Sequence, residues 1–198
     1  MLSEFTTYVR LGLSHIADLK GYDHIVFLVA LTAGFGPRDW RRLLWLVTAF
    51  TLGHSITLAL ATLDLVRVPS RPVEVLIALT IVVAGLFGVV SHRRSAGSDA
   101  SQATSQRARY AMAGGFGLIH GLGFSSFLRS LLGSEEQIAL PLFAFNVGLE
   151  AGQLLIVLAV VAAGAAVCGG LGLARSGWAI GLSLVSALLG LQMLLARL

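Results

Sequence analysis

Residues 43–63 read Leu-Leu-Trp-Leu-Val-Thr-Ala-Phe-Thr-Leu-Gly-His-Ser-Ile-Thr-Leu-Ala-Leu-Ala-Thr-Leu. The stretch contains no Asp, Glu, Lys or Arg. A helix of about 20 apolar residues crosses about 30 Å of hydrocarbon, so this segment reads as a membrane span. Five further segments read the same way, at about residues 22–35, 73–90, 112–132, 138–168 and 178–195. The first could be lengthened by the segment before it. The fifth is long enough to tilt or to project beyond the bilayer. The expected fold is all-α: a polytopic transmembrane helical bundle of about six spans, forming a single integral membrane domain over residues 1–198.

Composition agrees. The chain has 198 residues, 56% hydrophobic and only 12% charged, with a mean hydropathy of +0.85. Soluble domains average about 25% charged residues, so a soluble globular domain is excluded. So is a disordered chain, which needs low hydrophobicity and high charge. Cys168 is the single cysteine, which rules out an internal disulfide framework and a Cys-rich zinc site. The net charge of +4 does not imply a nucleic-acid partner. Membrane proteins collect Arg in cytoplasmic loops for a different reason.

Turn chemistry separates the spans. Gly36-Pro37-Arg38-Asp39, Pro69-Ser70-Arg71-Pro72 and Gly169-Gly170-Leu171-Gly172 are breaks. The polar run 91–109 is expected to be a flexible loop. No internal repeat stands out. Arg38, Arg41, Arg42, Arg93, Arg94, Arg107, Arg109 and Arg175 fall on one side of these spans. Arg10, Lys20, Arg67, Arg71, Arg129 and Arg197 fall on the other. The bias puts loop 91–109 in the cytoplasm and both termini outside. Trp40, Trp45 and Trp178 lie near span ends, as interfacial anchors do. The first 20 residues show no cleavable signal peptide. Phe5, Tyr8, Val9, Leu11, Leu13, Ile16 and Leu19 are spread among polar residues. That pattern predicts an N-terminal amphipathic helix, lying at the interface or packed on the bundle.

Ionisable side chains inside a span are costly, at about 2.5–3.5 kcal/mol for Asp at a helix centre. Four clusters therefore draw the functional reading. His15, Asp18, Asp23 and His24 precede or open the first span. Imidazoles with a carboxylate suit a divalent transition metal, whereas Asp23 alone could be a helix N-cap. His54, beside Ser55, lies mid-span and is either a ligand, a proton relay or a helix-to-helix hydrogen bond. His120 stands among Gly117, Gly121 and Gly123, a pattern that lets another helix approach closely. Asn146 and Glu150 share one face, followed by Gln153; the acid must pair, be protonated or bind a cation. Glu74 is a weaker candidate that favours a helix N-terminus electrostatically. His92 sits in a basic stretch and is given no role.

Read together, these pieces resemble the HupE/UreJ family of bacterial membrane proteins, in its shorter branch without a signal peptide. The resemblance rests on Gly21-Tyr-Asp23-His24-Ile-Val-Phe-Leu28, Thr48-Ala-Phe-Thr-Leu-Gly-His54-Ser-Ile-Thr57 and Val73-Glu74-Val-Leu-Ile-Ala-Leu79. Phe116-Gly-Leu-Ile-His120-Gly-Leu-Gly-Phe124 and Phe145-Asn146-Val-Gly-Leu-Glu150-Ala-Gly-Gln153 complete it. Family members are regarded as nickel or nickel and cobalt permeases. The resemblance thus implies a multi-pass protein of the bacterial inner membrane carrying a divalent transition metal such as nickel, cobalt or zinc. It implies that His15, Asp23 and His24 match an extracytoplasmic His/Asp-His motif. His120 matches a later His-Gly motif, and Glu150 an intramembrane acid. The interval from His15 to the Asp-His pair is longer than in the nickel-permease branch.

The leading expectation is a permease or facilitator in which His15, Asp23, His24, His54, His120 and Glu150 hold the ion. Asp18, Ser55, Glu74, Asn146 and Gln153 would support them. No GxxxxGK[ST] loop is present for nucleotide binding. A membrane metalloenzyme with His/Glu-bound zinc or iron is the second reading. A haem protein using His54 and His120, or a structural subunit, follows. Expected partners are the lipid bilayer and the metal ion, and a homo-oligomer stays open.

Overall fold

Inside lipid every backbone N–H and C=O must be satisfied within the protein, and a helix does this segment by segment. The computed structural model describes residues 2–19, 21–94, 99–132 and 138–198. Among these, seven α-helices form: α1 (Leu2–Ile16), α2 (Asp23–Thr32), α3 (Trp40–Thr62), α4 (Ser70–Arg94), α5 (Asp99–Leu132), α6 (Ala139–Gly170) and α7 (Arg175–Arg197). A short 3-10 turn, Pro37–Asp39, precedes α3.

Four described helical stretches are long and apolar enough to cross a membrane: Pro37–Thr62, Ser70–Arg93, Ala139–Gly170 and Arg175–Arg197. The segment expected at 112–132 is the C-terminal part of α5. The segment expected at 22–35 is α2, whose 10 residues rise only about 15 Å, half of a bilayer core. The missing length is supplied by α1. A Cβ added at Gly12 would overlap the Phe145 carbonyl, one at Gly148 the Val9 carbonyl, and one at Gly152 the Ile16 side chain. So α1 runs parallel to the first half of α6. Ile25 and Val29 of α2 share a cleft with Ile156, Ala159, Val160 and Ala163 further along α6. The two short helices therefore follow one another along a single long partner, as a discontinuous helix whose first part ends at Ile16 and whose second begins at Asp23. The amphipathic pattern of α1 has the same origin: Tyr8, Gly12 and Ile16 are its buried residues.

The polar run 91–109 is not the loop its composition suggested. Helix α4 continues to Arg94 and α5 begins at Asp99; residues 95–98 lie outside the described residues, as does Lys20. From 99 to 113 the run holds no Gly or Pro and is rich in Ala, Gln and Arg. Helix propensity prevails there over polarity.

Helix α3 packs along α5, and α4 along α7. At Gly53 an added Cβ would overlap the Gly114 carbonyl; at Gly117 it would overlap the Phe50 carbonyl, and at Gly121 the His54 carbonyl. At one end of the bundle Asp39, Arg42, His92, Arg109 and Arg175 surround one cleft. At the other, Arg197 donates to the Glu74 carbonyl at 3.0 Å and Arg71 to the Leu198 carbonyl at 2.6 Å.

Replacing Gly53 with Leu forces the α3 and α5 backbones apart. Overpacking of this kind costs about 1–3 kcal/mol or more, so the variant should unfold at lower temperature in detergent. Gly181→Ala, where a Cβ meets nothing within 4 Å, should leave the midpoint unchanged or slightly raised.

Candidate metal site

Four helices deliver one imidazole each to the same place. His15 comes from the last turn of α1, His24 from the first turn of α2, His54 from α3 and His120 from α5. The ring centroids of His15 and His24 are 4.8 Å apart, and those of His24 and His120 4.9 Å. His54 lies 6.1 Å from His15 and 6.3 Å from His24. Ligand nitrogens of His15, His24 and His54 all lie within 4.8 Å of one another.

The hydrogen bonds around these rings determine where the lone pairs are. His24 Nδ1 is 3.0 Å from Asp23 Oδ1, so that nitrogen donates and Nε2 keeps a lone pair. Thr80 donates its single hydroxyl proton to the Ile77 carbonyl at 2.6 Å. Its oxygen must then accept from His120 Nε2, 3.0 Å away, leaving the lone pair of His120 on Nδ1. His24 Nε2, His120 Nδ1, His15 Nε2 and both ring nitrogens of His54 are buried without a hydrogen-bond partner among the described residues. Buried polar atoms are nearly always satisfied. His15, His24 and His54 each offer one nitrogen to the same space, which fits a cation that supplies the missing bonds, while the other nitrogen of a neutral His54 carries the proton. Zinc–imidazole bonds of about 2.0–2.1 Å put tetrahedral ligand nitrogens about 3.4 Å apart, so the widest separation must close by about 1.4 Å on binding.

The walls are aromatic. Phe124 lies 3.9 Å from His15 between centroids, and Phe145 stacks near His54 at 6.3 Å. Phe50 packs against both His54 and His120, at 6.1 and 5.4 Å.

Asp23 is not an N-cap. Tyr22 occupies that position without a side-chain cap. The Asp23 carboxylate instead accepts from the His24 backbone N–H at 2.9 Å and from Arg197 at 3.4 Å. It is a positioning group for His24, tied to the last turn of α7.

Glu150 stands apart from the imidazoles. Thr48 donates to its Oε1 at 2.6 Å, and Thr51 donates to Gln153 Oε1 at 2.8 Å. Thr48, Thr51 and His54 succeed one another along α3, so Glu150 is about 9 Å along the helix from His54. Asn146 shares its face but does not pair with it; its Nδ2 donates to the Leu142 carbonyl at 2.8 Å, within its own helix. Ser55 likewise bonds within its helix, to the Thr51 carbonyl. Asp18 and Glu74 are exposed, and Glu74 meets Arg197 through its backbone carbonyl only. Three contributors escaped the sequence reading. Thr80 is the sole hydroxyl between Pro72 and Ser91 in α4, a legible oddity. Arg197 reads from sequence only as a loop charge, and Thr48 as one more small polar residue in α3.

The family model described as HupE / UreJ protein matches residues 1–196. The chain belongs to the HupE/UreJ family. It is a multi-pass membrane protein by its apolar helices and its family. Comparison with curated proteins found no match, nor did comparison with solved structures. In this HupE/UreJ protein three of the five motifs supply Asp23, His24, His54 and His120, and His15 comes from α1, outside all five. Val73–Leu79 leads into Thr80, and the Asn146–Gln153 motif supplies the neighbouring acid and amide.

Asp23→Asn keeps the shape of the side chain but removes the anionic acceptor that orients His24. Loss of such a partner weakens metal binding by about 10–100-fold. Titration calorimetry with zinc or nickel should show that loss with an unchanged stoichiometry.

Proposed function

We propose that this HupE/UreJ protein is a permease for a divalent transition-metal cation of the nickel, cobalt or zinc class. The observation that carries the reading is the convergence of unpartnered, buried imidazole nitrogens at the break between α1 and α2. The family itself is of nickel/cobalt transporter type. Neutral imidazole is a ligand for all three metals. It gives sites of moderate strength, and conduction needs binding weak enough to release.

The path follows the polar groups. An ion arrives past Tyr22 and Arg197, where a cleft of about 170 Å³ lies beside Gly21 and Met193. Asp23 draws the cation and holds His24 in its ligating tautomer. His15, His54 and His120 complete the first station. Gln153 and then Glu150 form the second, about two turns along α3. The side bearing the α1–α2 break faces out of the cytoplasm and the Arg-rich side faces in, across the bacterial inner membrane. The electrochemical gradient of the ion drives the flux. The whole chain works as one integral membrane unit.

Two measurements test this. Detergent-purified protein exposed to equal low-micromolar zinc, nickel, cobalt, copper and iron should carry near-stoichiometric metal by mass spectrometry, and His24→Ala/His120→Ala should lose it. In proteoliposomes, Glu150→Gln should retain the bound metal yet lower uptake by about tenfold or more, since charge-assisted binding at the second station is gone. Absence of metal in the wild type together with uptake no faster than in protein-free vesicles would overturn the permease. Metal held through EDTA dialysis without uptake would assign a resident ion of the metalloenzyme kind.

A further inference from the structure

The end of the bundle opposite the α1–α2 break carries a second polar site. Three arginines reach one cleft of about 330 Å³ from three different helices: Arg42 on α3, Arg109 on α5 and Arg175 at the start of α7. They face one carboxylate, Asp39, which is already engaged by the Gly36 N–H at 3.0 Å and by Arg42 at 3.2 Å. Positive charge is therefore in excess.

Arg109 is 5% exposed. Its position is built rather than incidental: it donates to the Leu31 carbonyl at 2.8 Å and lies over the rings of Phe35 and Phe87 at 5.4 and 5.5 Å. It also meets His92 Nε2 at 3.3 Å, as donor. Two of the five N–H groups of a guanidinium are thereby committed. Gln106 lines the same cleft, and its amide Nε2 is buried without a partner. Ser176, in the first turn of the 23-residue helix α7, lines it too, so that helix turns the positive end of its dipole to the cleft. An unsatisfied buried donor, excess guanidinium charge and a helix N-terminus call for one ligand chemistry, an oxyanion that accepts several hydrogen bonds.

We propose that this cleft binds a phosphate group, held between Arg42, Arg109 and Arg175 with the Gln106 amide as an additional donor. The depth of the site favours the phosphodiester of an anionic lipid headgroup. Trp40 follows the 3-10 turn beside it, 59% exposed with Arg41 at 5.2 Å from its ring, and Trp178 lies one turn into α7. Tryptophans mark the headgroup level, and basic pockets between membrane helices take anionic headgroups there.

The test is native mass spectrometry of the full chain released from detergent, with separate additions of phosphatidylglycerol, phosphatidylcholine and inorganic phosphate. Arg42→Gln/Arg175→Gln is the variant, because both side chains are exposed and neither is in the metal path. Its thermal midpoint in lipid-free detergent must equal that of the wild type. Selective retention of phosphatidylglycerol over phosphatidylcholine, weakened about 30-fold in the variant at about 5-fold per guanidinium, supports the site and assigns the lipid. Retention of inorganic phosphate alone, with the same loss in the variant, supports the site and assigns a free anion. Equal retention of both lipids without phosphate binding, or binding that the variant leaves unchanged, overturns it. Should the double variant melt early, Gln106→Leu replaces it, with selective retention expected to fall and unchanged retention overturning the proposal.

Discussion

Where α3 and α5 cross there is no room for a β-carbon. Gly53, Gly117 and Gly121 bring each backbone against a carbonyl of the other helix, and this contact fixes how far His54 stands from His120. Lipid offers no hydrophobic reward for joining two apolar helices, so close van der Waals fit must supply it. The same device joins α1 to α6 through Gly12 and Gly148, and this carries His15 to the other imidazoles. The position of the imidazole cluster is in this sense a product of small residues outside it.

Asp23 does the complementary work. Its carboxylate is 13% exposed and joins three things: the ring of His24, the backbone of α2's first turn and the Arg197 guanidinium of α7. Removing one member of such a buried group leaves an uncompensated charge, at a cost of about 3–5 kcal/mol. The Arg197 contact thereby ties the C-terminal turn of α7 to the ring orientation at the site. A cation bound by His24 would share this carboxylate's field, so α7 and the ion compete for the same negative charge.

Much of this was legible beforehand. Apolar runs without charge, such as residues 43–63, announce membrane helices because desolvating a charge is costly and nothing else explains its absence. The intramembrane His, Asp and Glu were visible for the same reason. Their spatial grouping was not, because helices far apart in sequence meet through glycine contacts that sequence spacing does not encode. Glu150 illustrates the limit. It looked like a sixth ligand, yet Thr48 on α3 holds it two turns from His54. Residues 99–109 illustrate another: a polar composition reads as loop, but without Gly or Pro it extends a helix. The α1–α2 break fell between the two cases. The short apolar length of 22–35 was apparent, whereas stacking along α6 required the packing of Gly12, Gly148 and Gly152.

The ten residues of α2 carry an electrical consequence. One cleft begins at Gly21 and Tyr22, at its N-terminal end, and the arginine-lined cleft begins at Gly34 and Phe35, just past its C-terminal end. Between them stands about 15 Å of helix, where a bilayer alone would interpose about 30 Å of insulator. A membrane voltage falls mainly across the part of the dielectric that water does not reach. With water filling both clefts, the field along α2 would be about twice that in the surrounding lipid. A divalent charge held at the head of α2 would therefore stand at the edge of this steep drop, whose full height is about 4.6 kcal/mol per 100 mV for two charges.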